Sequence, residues 1–164
     1  MNQKLRSSLL AWTGILAFYF GLQFFVDRHL PTGPAPALSA ATLDGGRFDQ
    51  SQLNGKPAVV YFWASWCGIC SAMRSSIQSI ADDHPLISVA VESGNEDEVA
   101  DYQQEHQFFP MTVLDEDGAI SKRYGLRGVP AVFVLDGSGK IRFSSVGYTS
   151  ELGIRIRLWL AGRE

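Results

Sequence analysis

Residues 58–63 read AVVYFW, an unbroken apolar run rich in β-branched and aromatic side chains. Polar residues at alternate positions would mark a strand with one wet face. None occurs here, so the run predicts a strand buried on both faces. From Cys67 onward the pattern changes. Cys70, Met73, Ile77 and Ile80 recur at helical spacing, and Pro85 lies past their end. A buried strand turning straight into a helix is a building unit of layered α/β structure. Two further apolar runs, 86–91 (LISVAV) and 131–135 (AVFVL), repeat the strand signal. Between them, 96–108 carries Val99, Tyr102 and His106 on one helical face, 111–114 predicts a short strand, and 119–124 a short helix. Asp136-Gly137-Ser138-Gly139 is a hairpin turn, so 140–146 should return antiparallel. Residues 150–161 predict a closing amphipathic helix through Leu152, Ile156, Trp159 and Leu160. Upstream, 38–43 and 47–48 flank Asp44-Gly45-Gly46 and predict a short hairpin. The expected fold is α/β: a central mixed β-sheet flanked by helices on both faces.

The chain's only cysteines, Cys67 and Cys70, sit at the strand-to-helix junction. A lone pair this tight staples no distant segments, which leaves chemistry or metal binding as its use. Free N–H groups and the positive end of the dipole at a helix start favour an anion. Cys67 is therefore the expected thiolate nucleophile. Cys70, one turn further in, is placed to resolve a mixed disulfide on Cys67. Gly68 leaves room for a substrate backbone, Ile69 adjoins it, and Trp63 and Trp66 read as packing and as a platform beside the cysteines. Cys67, Cys70 and Met73 also spell C-x-x-C-x-x-M, a set of soft sulfur groups of the kind that selects Cu(I). A core methionine at helical spacing is the plainer reading of Met73. A zinc site would need four ligands, and His29, His84 and His106 show no paired spacing.

Residues 9–26 carry no charge, and eighteen helical residues span roughly 27 Å, close to a hydrocarbon core of about 30 Å. Lys4 and Arg6 precede the run. A buried core helix fits poorly with a terminal stretch apolar on every face. A cleaved signal peptide needs a small-x-small site just beyond it, where Asp27-Arg28-His29-Leu30-Pro31 stands instead. The expected organisation is a cytoplasmic N-terminus over 1–8, one transmembrane anchor over 9–26, a proline-rich linker over 27–36 and a domain over 37–164. The positive flank places that domain outside the cytoplasm. The domain holds 11 Lys and Arg against 16 Asp and Glu, a balance that excludes a polyanion such as nucleic acid as the natural partner.

Phe62-Trp63-Ala64-Ser65-Trp66-Cys67-Gly68-Ile69-Cys70 resembles the FWAxWCxxC signature of thioredoxin-like proteins. Leu43-Asp44-Gly45 and Lys56-Pro57 are similar to the membrane-anchored TlpA/ResA/DsbE branch. The C-terminal 147–160 resembles ScsD-type protein disulfide oxidoreductases, which are associated with suppression of copper sensitivity. The resemblance implies a thioredoxin-like fold and disulfide exchange with protein thiols, with no cofactor beyond the Cys67–Cys70 pair. It implies a bacterial inner-membrane protein facing the periplasm, supplied with electrons by a DsbD/ScsB-like membrane donor, and reductase or isomerase work rather than oxidation. It also implies that Pro130, in Gly128-Val129-Pro130, is a cis-proline opposite the cysteines, with Val129-Pro130 as a ledge for an extended substrate. Departures stand out. Tyr61 occupies the place of thioredoxin's buried aspartate, and Met73 that of the glutamate in ResA-like proteins. Ala131 replaces the acidic residue that follows the cis-proline in cytochrome-maturation members. Glu92, at the end of the second core strand, is the remaining candidate proton relay.

Overall fold

The structure, a computed structural model, describes residues 30–163 together with Thr13. The anchor expected over 9–26 and the N-terminus over 1–8 lie outside these residues, Thr13 apart. Among the described residues no helix is long and apolar enough to cross a membrane.

Six strands form the main sheet: β1 (Gly33–Pro34), β4 (Ala58–Trp63), β5 (Leu86–Val91), β6 (Thr112–Asp115), β7 (Ala131–Leu135) and β8 (Lys140–Val146), in the order β1-β8-β7-β4-β5-β6. β4, β5 and β6 run parallel, while β7, β8 and β1 each join antiparallel. Every residue of β4, β5 and β7 is buried, as the unbroken apolar runs require. The pleat divides β4 between two cores. Val59, Tyr61 and Trp63 face α1 (Gly68–Asp83), α2 (Glu96–Glu105) and α4 (Glu151–Ala161), meeting Met73, Ile77, Ile80, Val99, Ile154 and Leu158. Val60 and Phe62 face the other way, onto Leu38, Phe48, Leu53 and Tyr124 beside α3 (Ala119–Arg123). The thioredoxin-like α/β fold with a mixed sheet is therefore present.

Two features departed from the sequence pattern. The helix expected over 96–108 stops at Glu105. Gln107 takes φ 49°, and Phe108 turns inward to meet Trp63 edge-on at a centroid distance of 5.3 Å. Packing against the core thus overrides the helical period. The proline-rich stretch is extended, as its composition dictates, but part of it is docked. Gly33 and Pro34 pair with Ile141 and Lys140, Leu30 is buried, and the Tyr124 hydroxyl donates to the Pro36 carbonyl at 3.1 Å. The hairpin of β2 (Ser39–Ala41) and β3 (Arg47–Asp49) is followed by a 3-10 turn, Gln50–Leu53, which the residue pattern did not announce. Leu43 then donates its N–H to the Thr112 carbonyl, so this segment covers the β6 edge while β1 covers β8.

Buried phenols give the fold a pH dependence. Burial pushes Tyr61 well above the usual 10, helped by Tyr102, and pushes Tyr124 up to about 12. The folded state holds these protons more tightly than the unfolded chain does. The stability they protect is whole below pH 10 and is lost as pH rises from there toward 12. Unfolding free energy should fall by up to about 1.4 kcal/mol per pH unit for each tyrosine. Denaturant titrations between pH 8 and 12 measure this, and a flat profile would contradict it.

Candidate active site

β4 delivers the chain to the site. After Trp63, Ser65 donates its N–H to the Ser93 hydroxyl at 3.1 Å, and Cys67 donates to the Ala64 carbonyl at 3.1 Å. These bonds turn the strand into α1, whose N-cap is Cys67 itself. An N-cap needs an acceptor for the free N–H groups of the first turn. The Cys67 sulfur fills that role, accepting from the Cys70 N–H at 3.1 Å. When the pair is reduced, the same bond becomes charge-assisted and favours the thiolate.

Cys67 and Cys70 are joined as a disulfide, with Cα atoms 5.2 Å apart. Their exposures differ in the sense the chemistry requires: 6% for Cys67 and 1% for Cys70. An incoming group meets Cys67 first. Trp66 and Ile69 form an exposed apolar rim, and Trp66 is pinned by its indole N–H donating to the Glu92 carbonyl at 3.0 Å. A Cβ added at Gly68 would meet nothing within 4 Å, so packing does not require glycine there. Across the site, the Val129–Pro130 peptide is cis, and the Cys67 sulfur lies 3.7 Å from the Val129 carbonyl oxygen. The Val129 N–H donates to no group among the described residues. An extended chain laid here therefore finds a free donor beside the sulfur.

Glu92 reaches the site through its carbonyl, while its carboxylate lies beside Gly118 at the start of α3. Met73 is fully buried in the core that backs the disulfide, so its thioether is a packing group. Tyr61 is buried in the same core, and its hydroxyl has no hydrogen-bond partner among the described residues. Ala131 is a buried residue of β7. Three further residues support the site, and only the last of them carries a signal in the sequence. Ser93 holds Ser65, and Ser88 accepts the Trp63 indole N–H at 3.1 Å. Asp115 is buried at the end of β6 and accepts from the N–H groups of Ile120 and Ser121, while its carbonyl receives the Glu92 N–H. An aspartate at a strand end shortly before a helix was the one available hint.

A mixed sheet with a disulfide across the first turn of the helix after β4, facing a cis-proline, defines a thiol:disulfide oxidoreductase of the thioredoxin type. Comparison with known proteins agrees. The pattern of the Redoxin family matches residues 31–153, three quarters of the chain, and the protein belongs to that family. A thioredoxin-like protein of Haemophilus influenzae is 32% identical over 139 residues, covering 84% of this chain and 83% of its own. The thiol:disulfide interchange protein DsbE of Pseudomonas fluorescens is 30% identical over 121 residues, covering 73% and 68%. A secreted disulfide oxidoreductase of Mycobacterium tuberculosis, homologous to DsbE, superposes with a TM-score of 0.65 at 25% identity, over 75% of this chain and 95% of that one.

Proposed function

We propose that the protein is a membrane-anchored, extracytoplasmic oxidoreductase that reduces or isomerises disulfides in other proteins. The observation that carries the reading is the Cys67 sulfur at a helix N-cap, 3.7 Å from the Val129 carbonyl on the cis-proline ledge. The Cys67 thiolate attacks one sulfur of a substrate disulfide. A mixed disulfide forms and the other substrate sulfur leaves as a thiolate. Cys70, once deprotonated, attacks the Cys67 sulfur, releases the second substrate thiol and restores the Cys67–Cys70 bond. Two electrons pass to the substrate, and the protein ends oxidised. Trp66, Gly68, Ile69, Val129 and Pro130 bind the substrate chain around this exchange. The Cys70 proton passes to solvent or to the departing thiolate, since Tyr61 and Met73 offer no carboxylate and that of Glu92 lies beside Gly118.

Repeated turnover needs a dithiol donor. A DsbD/ScsB-like membrane oxidoreductase fits the apolar 9–26 stretch, with Lys4 and Arg6 held in the cytoplasm of a bacterial inner membrane and the domain in the periplasm. The C-terminal 147–160 supports the ScsD-type branch within the family. Cys70→Ser tests the reading. Expressed as the full chain, this variant should accumulate mixed disulfides with extracytoplasmic proteins, visible as bands lost on reduction. Wild type should show few of them, and a variant that traps nothing contradicts the proposal.

A further inference from the structure

Beside the disulfide, on the side of the cis-proline loop, lies an open cavity of about 190 Å³. Trp66 and Val129 form the wall nearest Cys67, and Val91 and Leu126 supply apolar lining. Lys122 and Arg127 add two positive charges, and Glu92 is the only acid among the lining residues. With two basic residues against one acid, the lining keeps a net positive charge. Arg127 is exposed and has no ion-pair partner among the described residues. The Lys122 ammonium donates to the Asp117 carbonyl at 3.1 Å, a neutral group, and it forms no ion pair with Glu92. A cationic mouth beside the reactive sulfur is conspicuous in a domain with 11 basic and 16 acidic residues.

A chain laid along Val129 puts its own cysteine over Cys67. In a strand, residues two positions away point the same way as that cysteine, displaced by about 6.6 Å. Trp66, next to Cys67 in the chain, and Val129, whose carbonyl lies 3.7 Å from the Cys67 sulfur, both line the cavity, which places it within reach of such a side chain. We propose that this cavity selects the substrate: it takes an aspartate or glutamate two positions from the reacting cysteine, with Arg127 and Lys122 as the residues that recognise it. The inference rests on the disulfide-exchange reading and narrows it to a class of polypeptide. Charge complementarity of this kind acts chiefly on encounter and discrimination, and it weakens with salt.

The test uses full-length reduced protein in detergent and three cysteine peptides. Each is capped as a disulfide with the same small neutral thiol, and they carry Glu, Gln or Lys at both positions two residues from the cysteine. Exchange rate constants are read by mass spectrometry of quenched samples at low and high salt. The glutamate peptide should react about tenfold faster than the lysine peptide at low salt, a ratio that shrinks with added salt. In Arg127→Gln combined with Lys122→Gln the ratio should fall to within about twofold, whereas Arg127→Lys should keep it. Equal rates for all three peptides in wild type, or a ratio unchanged in the double variant, would overturn the inference and leave disulfide exchange standing. No reaction with any peptide would instead sink the exchange reading on which it rests.

Discussion

Replacing Cys67 by alanine is expected to abolish disulfide exchange, with a loss on the order of 10³-fold or more, because the step that forms the mixed disulfide has no other nucleophile. Replacing Cys70 should act differently. Cys70 is the more buried residue, at 1% exposure against 6%, and in the proposed sequence of steps it acts only after a substrate is attached to Cys67. A Cys70→Ser protein should therefore complete one attack and stop. The two variants differ in what accumulates: free substrate for the first, trapped adduct for the second. Single-turnover assays with a model protein disulfide separate them. Equal and complete loss of the first step in both would mean that the roles are not divided as the geometry divides them. Loss of the bond in either variant should cost little stability, since it joins residues only three positions apart in sequence and closes a very small loop.

The second large effect falls on stability. Trp63 and Trp66 stand three residues apart in one motif, yet their surroundings are opposite. Trp63 is 1% exposed, packs edge-on against Phe108, lies 5.1 Å from Tyr102, and donates its indole N–H to Ser88. Ser88 in turn shares a hydrogen bond with Thr112, and Gln103 donates to Thr112 as well. Trp63→Ala removes a large core side chain and leaves part of this network unpaired. It should cost about 3–5 kcal/mol. Trp66 is 64% exposed, and its indole makes a single hydrogen bond among the described residues, to the Glu92 carbonyl. Trp66→Ala should shift stability by less than about 1 kcal/mol and slow exchange instead, because the rim beside Cys67 is lost. Urea unfolding and exchange rates on both variants give a two-by-two comparison. A stability cost for Trp66→Ala as large as that for Trp63→Ala would contradict the division.

Much of the fold was legible because its strongest elements are locally decided. The β4 run has no polar residue to place on a wet face, so burial on both sides follows from composition alone. The helix after it is announced by Cys70, Met73, Ile77 and Ile80, and it starts where the N-cap sulfur can serve its first turn. The pair Cys67 and Cys70 was legible for the same reason. What escaped depends on partners distant in sequence. Pro36 is held by Tyr124, 88 residues away, and Gly33 by Ile141. No local pattern reports such contacts. Glu92 is instructive. Its position at the end of β5 placed it near the site, but the positive φ of 44° there turns the carbonyl to Trp66 and the carboxylate toward Gly118. The cavity beside the disulfide escaped too, since it exists only once the loop through Arg127 closes against Trp66 and Val91.

Cys67 is expected to be the attacking sulfur, made reactive by its N-cap position. The most direct measurement is the pH dependence of alkylation of the reduced full-length protein by a limiting amount of iodoacetamide, with the modified residue mapped by mass spectrometry. The prediction is that label goes to Cys67 and spares Cys70, with a rate midpoint well below the value of about 8.5 typical of a free cysteine. Label on Cys70 first, or a Cys67 midpoint at or above 8.5, would contradict it.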